Sequence, residues 1–95
     1  MDQVLPEVSG KARGTIHGRV RVSVRIHVNA AGTVDTAELD TPSRSKYFAE
    51  QSIRAAKKWQ FNAPEINGRS VASDWLLHFE ITSTATNVTS RQVSP

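Results

Sequence analysis

The chain has 95 residues, 38% of them hydrophobic and 22% charged, with a formal net charge of +3 at pH 7. That length holds one domain, and a chain of this size buries about two-thirds of its unfolded surface around a single core. Cysteine is absent, which excludes a disulfide framework, a thiol nucleophile and a cysteine-ligated zinc.

Residues 1–15 contain Pro6, Gly10 and Gly14 and no sustained period, and they read as an extended lead-in. Met1-Asp2-Gln3 does not begin a signal peptide, and no stretch approaches the roughly 20 apolar residues of a membrane span. Residues 16–82 form the expected domain. Over 17–28 the alternation is strict: Val20, Val22, Val24, Ile26 and Val28 share one face, and Arg19, Arg21, Ser23, Arg25 and His27 share the other. Period two with β-branched residues at every inward position predicts a half-buried strand. Asn29-Ala30-Ala31-Gly32 turns the chain, because Asn and Gly tolerate positive φ. A shorter second strand follows over 33–39 and ends at Thr41-Pro42-Ser43.

The period then becomes 3.6. Over 46–59, Phe48, Ala49, Ser52, Ile53, Ala55, Ala56 and Trp59 fall within an arc of about 160°, the apolar stripe of an amphipathic helix. Ser43 or Ser45 is its expected N-cap, and Lys57 and Lys58 suit the negative end of its dipole. Asn62-Ala63-Pro64 breaks the helix and Asn67-Gly68 makes a second tight turn. Residues 71–81 predict a third strand with Val71, Trp75, Leu77, Phe79 and Ile81 inward and Ala72, Asp74, Leu76, His78 and Glu80 outward. Residues 83–95 are rich in Ser, Thr and Asn without an apolar period, and their composition reads as a disordered tail.

The order is β-β-α-β. The helical crossover places strands two and three parallel with strand one between them, antiparallel to both. The expected fold is therefore α+β: a three-stranded antiparallel sheet, order 2-1-3, with one helix packed on one face. Trp59, Phe48, Ile53, Val22, Val24 and Phe79 are its expected core. In that order strand three keeps an open edge, a template for strand addition. Val71, Ala72, Ser73, Asp74, Trp75, Leu76 and Leu77 are its candidate partner-binding residues, with Ser73 an expected outward-bonding position. Trp75 either packs beneath the helix against Trp59 or flanks a peptide on that edge.

Residues suited to catalysis do not converge. No Ser-His-Asp order, phosphate-binding glycine loop or paired-carboxylate motif is present, so no enzyme, metal or cofactor is expected. His17 and His27 stand too far apart along one strand to share a metal, and His78 is expected near His27 or Arg25 across the ladder. The stripe Arg19, Arg21 and Arg25 has three readings. It can pair with Asp74 and Glu80 across strands, face an acidic partner, or grip nucleic-acid phosphates. The outer faces offer no aromatic platform for stacked bases, so nucleic acid is the least favoured partner.

Trp59-Gln60-Phe61 closes the helix and leads to Asn67-Gly68-Arg69-Ser70-Val71. Gly18 precedes the alternating valines, and Gly32-Thr33-Val34 opens strand two. In this order and spacing residues 5–81 resemble the TonB C-terminal domain family. Leu5-Pro6 stands where that family has Tyr-Pro, and proline in Trp59-Gln60-Phe61-Asn62-Ala63-Pro64 is displaced by one position from the family's Trp-x-Phe-x-Pro-Ala. The resemblance implies the periplasmic end of a protein anchored in the inner membrane, its anchor outside this chain. It implies a TonB-dependent outer-membrane receptor as partner, held through its TonB-box peptide by strand addition to support active transport. It further implies a link through a missing N-terminal region to the inner-membrane motor complex, with homodimerisation by strand exchange or edge pairing as a further candidate. The alternatives are a docking or sensory domain of another envelope protein and, less favoured, a basic nucleic-acid-binding module.

Overall fold

The structure is a computed structural model that describes residues 2–43, 45–63 and 65–94. A short helix α1 (Gly10–Arg13) precedes β1 (Val20–Val28) and β2 (Val34–Leu39). Helix α2 (Lys46–Lys57) follows, then β3 (Glu65–Ile66), β4 (Arg69–Ser70), β5 (Ser73–Ile81) and β6 (Thr86–Ser94). The main sheet has the order β2-β1-β5-β6, with β1 antiparallel to β2 and β5, and β5 antiparallel to β6. The expected order of the first three strands and the single crossover helix are present.

Two expectations are corrected: within the lead-in expected to be extended, Gly10–Arg13 form a helical turn capped by the Ser9 hydroxyl, and the main sheet has four strands, not three. Residues 86–94, read from composition as tail, form β6 and pair with β5 from Asp74↔Ser94 to Ile81↔Thr86. A marginal strand needs neither a long apolar period nor a deep core, because its neighbour supplies the backbone bonds. Of β6, only Val88 packs as a partly buried hydrophobic on the core. The connecting turn is tight: the Thr82 amide donates to the Ala85 carbonyl at 2.8 Å, and the Ala85 amide donates to Thr82 Oγ1 at 3.1 Å.

Helix α2 begins where Ser45 caps it, its hydroxyl accepting from the Phe48 amide at 3.3 Å. Its apolar stripe lies on β1 and β2. Trp59, Val24, Val28, Leu77 and Ile81 are wholly buried, and Phe48, Val22 and Phe79 join them. Ile53 sits at the margin, partly buried against the same cluster. Pro64, the expected helix breaker, lies outside the described residues. Helix α2 ends before it, at a Lys58 cap whose amide donates to the Ala55 carbonyl at 3.0 Å, while the Trp59 amide donates to the Ala56 carbonyl at 3.2 Å.

The Trp59 ring joins most of this together. It stacks on Phe61 (centroids 5.7 Å apart), meets Phe79 edge-on at 6.5 Å, and donates Nε1–H to the Val4 carbonyl at 2.9 Å. The lead-in is thereby held to the body, assisted by paired backbone bonds between Asp2 and Gln60 at 2.8 and 3.2 Å. Gly32 is fixed twice over. Its φ is +86°, and a Cβ there would stand 2.1 Å from the Phe61 carbonyl oxygen, while its own carbonyl accepts from the Phe61 amide at 2.9 Å. The glycine of the first turn is thus the contact point for the aromatic pair after the helix.

Candidate functional site

The strand-three edge does not stand open. Val71 and Ala72 precede β5, and from Asp74 onward β5 lies between β1 and β6. Ser73 pairs with Val28, is buried to 1% exposure and accepts a hydrogen bond from Trp75 Nε1–H at 3.0 Å through its hydroxyl. It is therefore no free outward-bonding position. Leu77 is wholly buried in the core. Leu76 points to the opposite face yet is only 7% exposed. Its register neighbours are Arg25 and Arg91, whose aliphatic stems can cover it. Asp74 is engaged by β1, as described below. Trp75 packs on Phe61 at a centroid distance of 5.0 Å, not on Trp59. From Asp74 onward the edge is closed because β6 takes up the outer side of β5.

The sheet consequently ends at β2 on one side and β6 on the other. The two margins differ. β2 is six residues long and carries Asp35 and Glu38; both margins carry a register shift, at His27/Val28 for β2 and at Asp74/Trp75 for β6. β6 is nine residues long, and Arg91 is its one charged residue. Its first residue and the turn before it are anchored by α1. Arg13 donates from Nη1 to the Thr82 and Ala85 carbonyls at 3.0 and 3.1 Å, and from Nη2 to Thr86 Oγ1 at 2.6 Å. One guanidinium thus holds both ends of the β5–β6 turn.

The arginine stripe lies on the face opposite α2. Glu80 lies 3.6 Å from Arg19 and 3.5 Å from Arg21, and Asp74 lies 3.5 Å from Arg25. These are the cross-strand pairs the sequence implied, made in register by Arg21↔Glu80 and by the diagonal of Arg25 to Asp74. Asp74 also meets His27 Nδ1 at 2.6 Å. His78 lies one diagonal step from Arg25 in the register and farther from His27. It faces Ser23, with Oγ and Nδ1 2.8 Å apart. The face dips between Arg21, Ser23, His78, Asn87 and Thr89 into an open groove of about 320 Å³. Among the described residues no three His, Asp or Glu side chains converge as a metal site. No described helix is long and apolar enough to cross a membrane.

Sequence reasoning missed β6 and the Arg13 clamp. A weak signal for the strand was present: Thr82, Thr84, Thr86, Val88, Thr89 and Val93 are β-branched, a strand-favouring density. Nothing marked Arg13, because its three acceptors lie about seventy residues away.

Residues 10–81 match the family described as the Gram-negative bacterial TonB protein C-terminal region, and the chain belongs to that family. Neither the curated proteins nor the solved structures include a significant match to it. Domains of this family are periplasmic energy-transducer and interaction modules, not catalysts.

Proposed function

We propose that this member of the TonB C-terminal family captures an extended segment of an outer-membrane receptor, its TonB box, by adding it as a strand to the sheet. The observation that carries the reading is family membership across residues 10–81, joined to a sheet whose last strand, β6, pairs with no further strand among the described residues. An added strand satisfies its own backbone donors and acceptors on the sheet and leaves side chains to tune the choice. The domain would then be the periplasmic end of a transducer anchored in the inner membrane, receiving work from a proton-driven motor through its N-terminal region. Homodimerisation by edge pairing would compete for the same backbone groups.

The test is a titration of the isotopically labelled domain with TonB-box peptides from receptors of the same cell, followed by amide shifts. Saturable shifts along one margin of the sheet are expected. Absence of any shift at saturating peptide would sink the reading. One observation favours a second possibility, a docking or sensory domain of another envelope protein: β6 already fills the edge of β5. Recovering the N-terminal sequence separates the two. A single membrane helix followed by a Pro-rich linker belongs to transport; several spans or an attached enzyme belong to the alternative.

A further inference from the structure

We infer that the receiving edge is the outer edge of β6, not the edge of β5, and that the peptide it receives carries an acidic side chain placed to meet Arg91. This rests on the strand-addition reading and assigns its place. To use the edge of β5, a peptide must first strip β6 away. It would have to replace the pairing from Asp74↔Ser94 to Ile81↔Thr86, the packing of Val88 on the core, and the three bonds Arg13 makes at the turn. The bonds gained are of the same kind as the bonds lost, so exchange brings little net gain. Addition to β6 breaks none of them.

Between the two margins, the chemistry selects β6. Charged side chains on an edge discourage a further strand, and β2 is short and carries Asp35 and Glu38. β6 offers nine residues with no proline between Thr86 and Ser94 and one charge. That charge decides the occupant. Arg91 is exposed and makes no ion pair among the described residues, whereas the arginines of β1 already have carboxylate partners. A second copy of this chain would bring the same +3 net charge and another Arg91 to the junction. An extended peptide bearing Glu or Asp brings the complement.

The chain has no cysteine, so a designed pair can form one bridge only. His78 and Thr89 face each other across β5 and β6, and directly opposed residues of antiparallel strands stand about 4.5–5.5 Å apart at Cα, within disulfide reach. The His78→Cys/Thr89→Cys protein, oxidised, locks β6 in place. Glu80→Cys/Asn87→Cys, the next outward pair in register, serves if the first fails to fold. The probe is a TonB-box peptide containing Glu or Asp, together with its Gln or Asn twin. The oxidised protein should bind the acidic peptide within about twofold of its own reduced form, with amide shifts on 86–93. Arg91→Gln should weaken the acidic peptide roughly two- to fivefold, the scale of an exposed ion pair, and leave the neutral twin unchanged. Binding lost tenfold or more on oxidation and regained on reduction would place the peptide on β5, overturning this inference while leaving strand addition intact. Shifts on β2 would also overturn it, and indifference of the acidic peptide to Arg91→Gln would remove the acidic partner. Peptide-free broadening of 86–93 with rising protein concentration would make a second copy the occupant. No response of the parent to any peptide would instead defeat the strand-addition reading itself.

Discussion

Replacing Trp59 by alanine should remove the residue around which the lead-in, the helix end and the sheet are assembled. The side chain is wholly buried, touches Phe61 and Phe79 through its ring faces and edges, and holds the Val4 carbonyl at 2.9 Å. Large-to-small changes of buried aromatics cost about 3–5 kcal/mol, and loss of the hydrogen bond adds about 1 kcal/mol. A domain of this length has about 5–14 kcal/mol of stability in total, so the variant sits close to the threshold of folding. At 4–8 °C per kcal/mol for a domain of this size, a loss of about 4 kcal/mol lowers Tm by roughly 15–30 °C. Thermal and guanidinium unfolding followed by circular dichroism measure this directly. Trp59→Phe is the control. It keeps a ring in the site and should cost about 1–2 kcal/mol, chiefly through the hydrogen bond and a small void. In that variant amide exchange of the lead-in should quicken before that of the sheet. A Trp59→Ala protein that melts within a couple of degrees of the parent would refute the packing argument.

Three further outcomes follow from the geometry. Gly32→Ala meets both positive φ and the Phe61 carbonyl at 2.1 Å, whereas Gly18→Ala meets positive φ with open space around it. The first should cost well above the roughly 1–2 kcal/mol of left-handed strain expected for the second, and equal losses in urea midpoints would show that the turn yields to the contact. Arg21→Gln with Arg25→Gln should change stability by less than about 1 kcal/mol, because both arginines are solvent-exposed partners of carboxylates; a larger shift in denaturation midpoint would contradict solvated pairing. Arg13→Ala removes charge-assisted bonds worth about 1.5–3 kcal/mol and should speed hydrogen exchange in β6 more than in β2, with equal acceleration of both strands arguing against a local clamp.

The elements most legible in the sequence are those whose period is enforced by a buried face. β1 shows five β-branched residues in alternation because α2 covers that face, and α2 shows a stripe because it lies on the sheet. The strand order was legible as well, since a crossover helix leaves few arrangements. What failed was the margin. β6 is stabilised by backbone pairing and by a distant arginine, and neither writes an apolar period into its own residues. The same failure carried into the site: an edge inferred to be open was inferred from a strand count one too low. The paired arginines were legible because cross-strand partners of opposite charge lie in one alternating register. The position of His78 was not, since it depends on register to the residue, and a slip of two positions exchanges Ser23 for Arg25 or Arg21.

Where the sheet ends also bears on how selective it can be. Main-chain bonding to an added strand is nearly indifferent to sequence, so discrimination must come from side chains flanking the edge. Along β6 these are Asn87, Thr89 and Arg91 on one face and Val88 and Ser90 on the other, small or polar apart from the one guanidinium. Such an edge has no deep pocket to recognise a large anchor residue, and its single charge is exposed to solvent, where ion pairs contribute little. Capture by it should be broad in sequence, favoured by an acid at one position, and easily reversed. A stable grip would demand either a longer paired segment or a partner that also engages the charged sheet face, where Arg19, Arg21 and Arg25 are already committed to Glu80 and Asp74. Displacing those pairs exchanges one exposed ion pair for another at little gain. On the strand-addition proposal, the length of the added strand would set affinity, and peptides truncated one residue at a time should lose binding progressively and not at a single anchor.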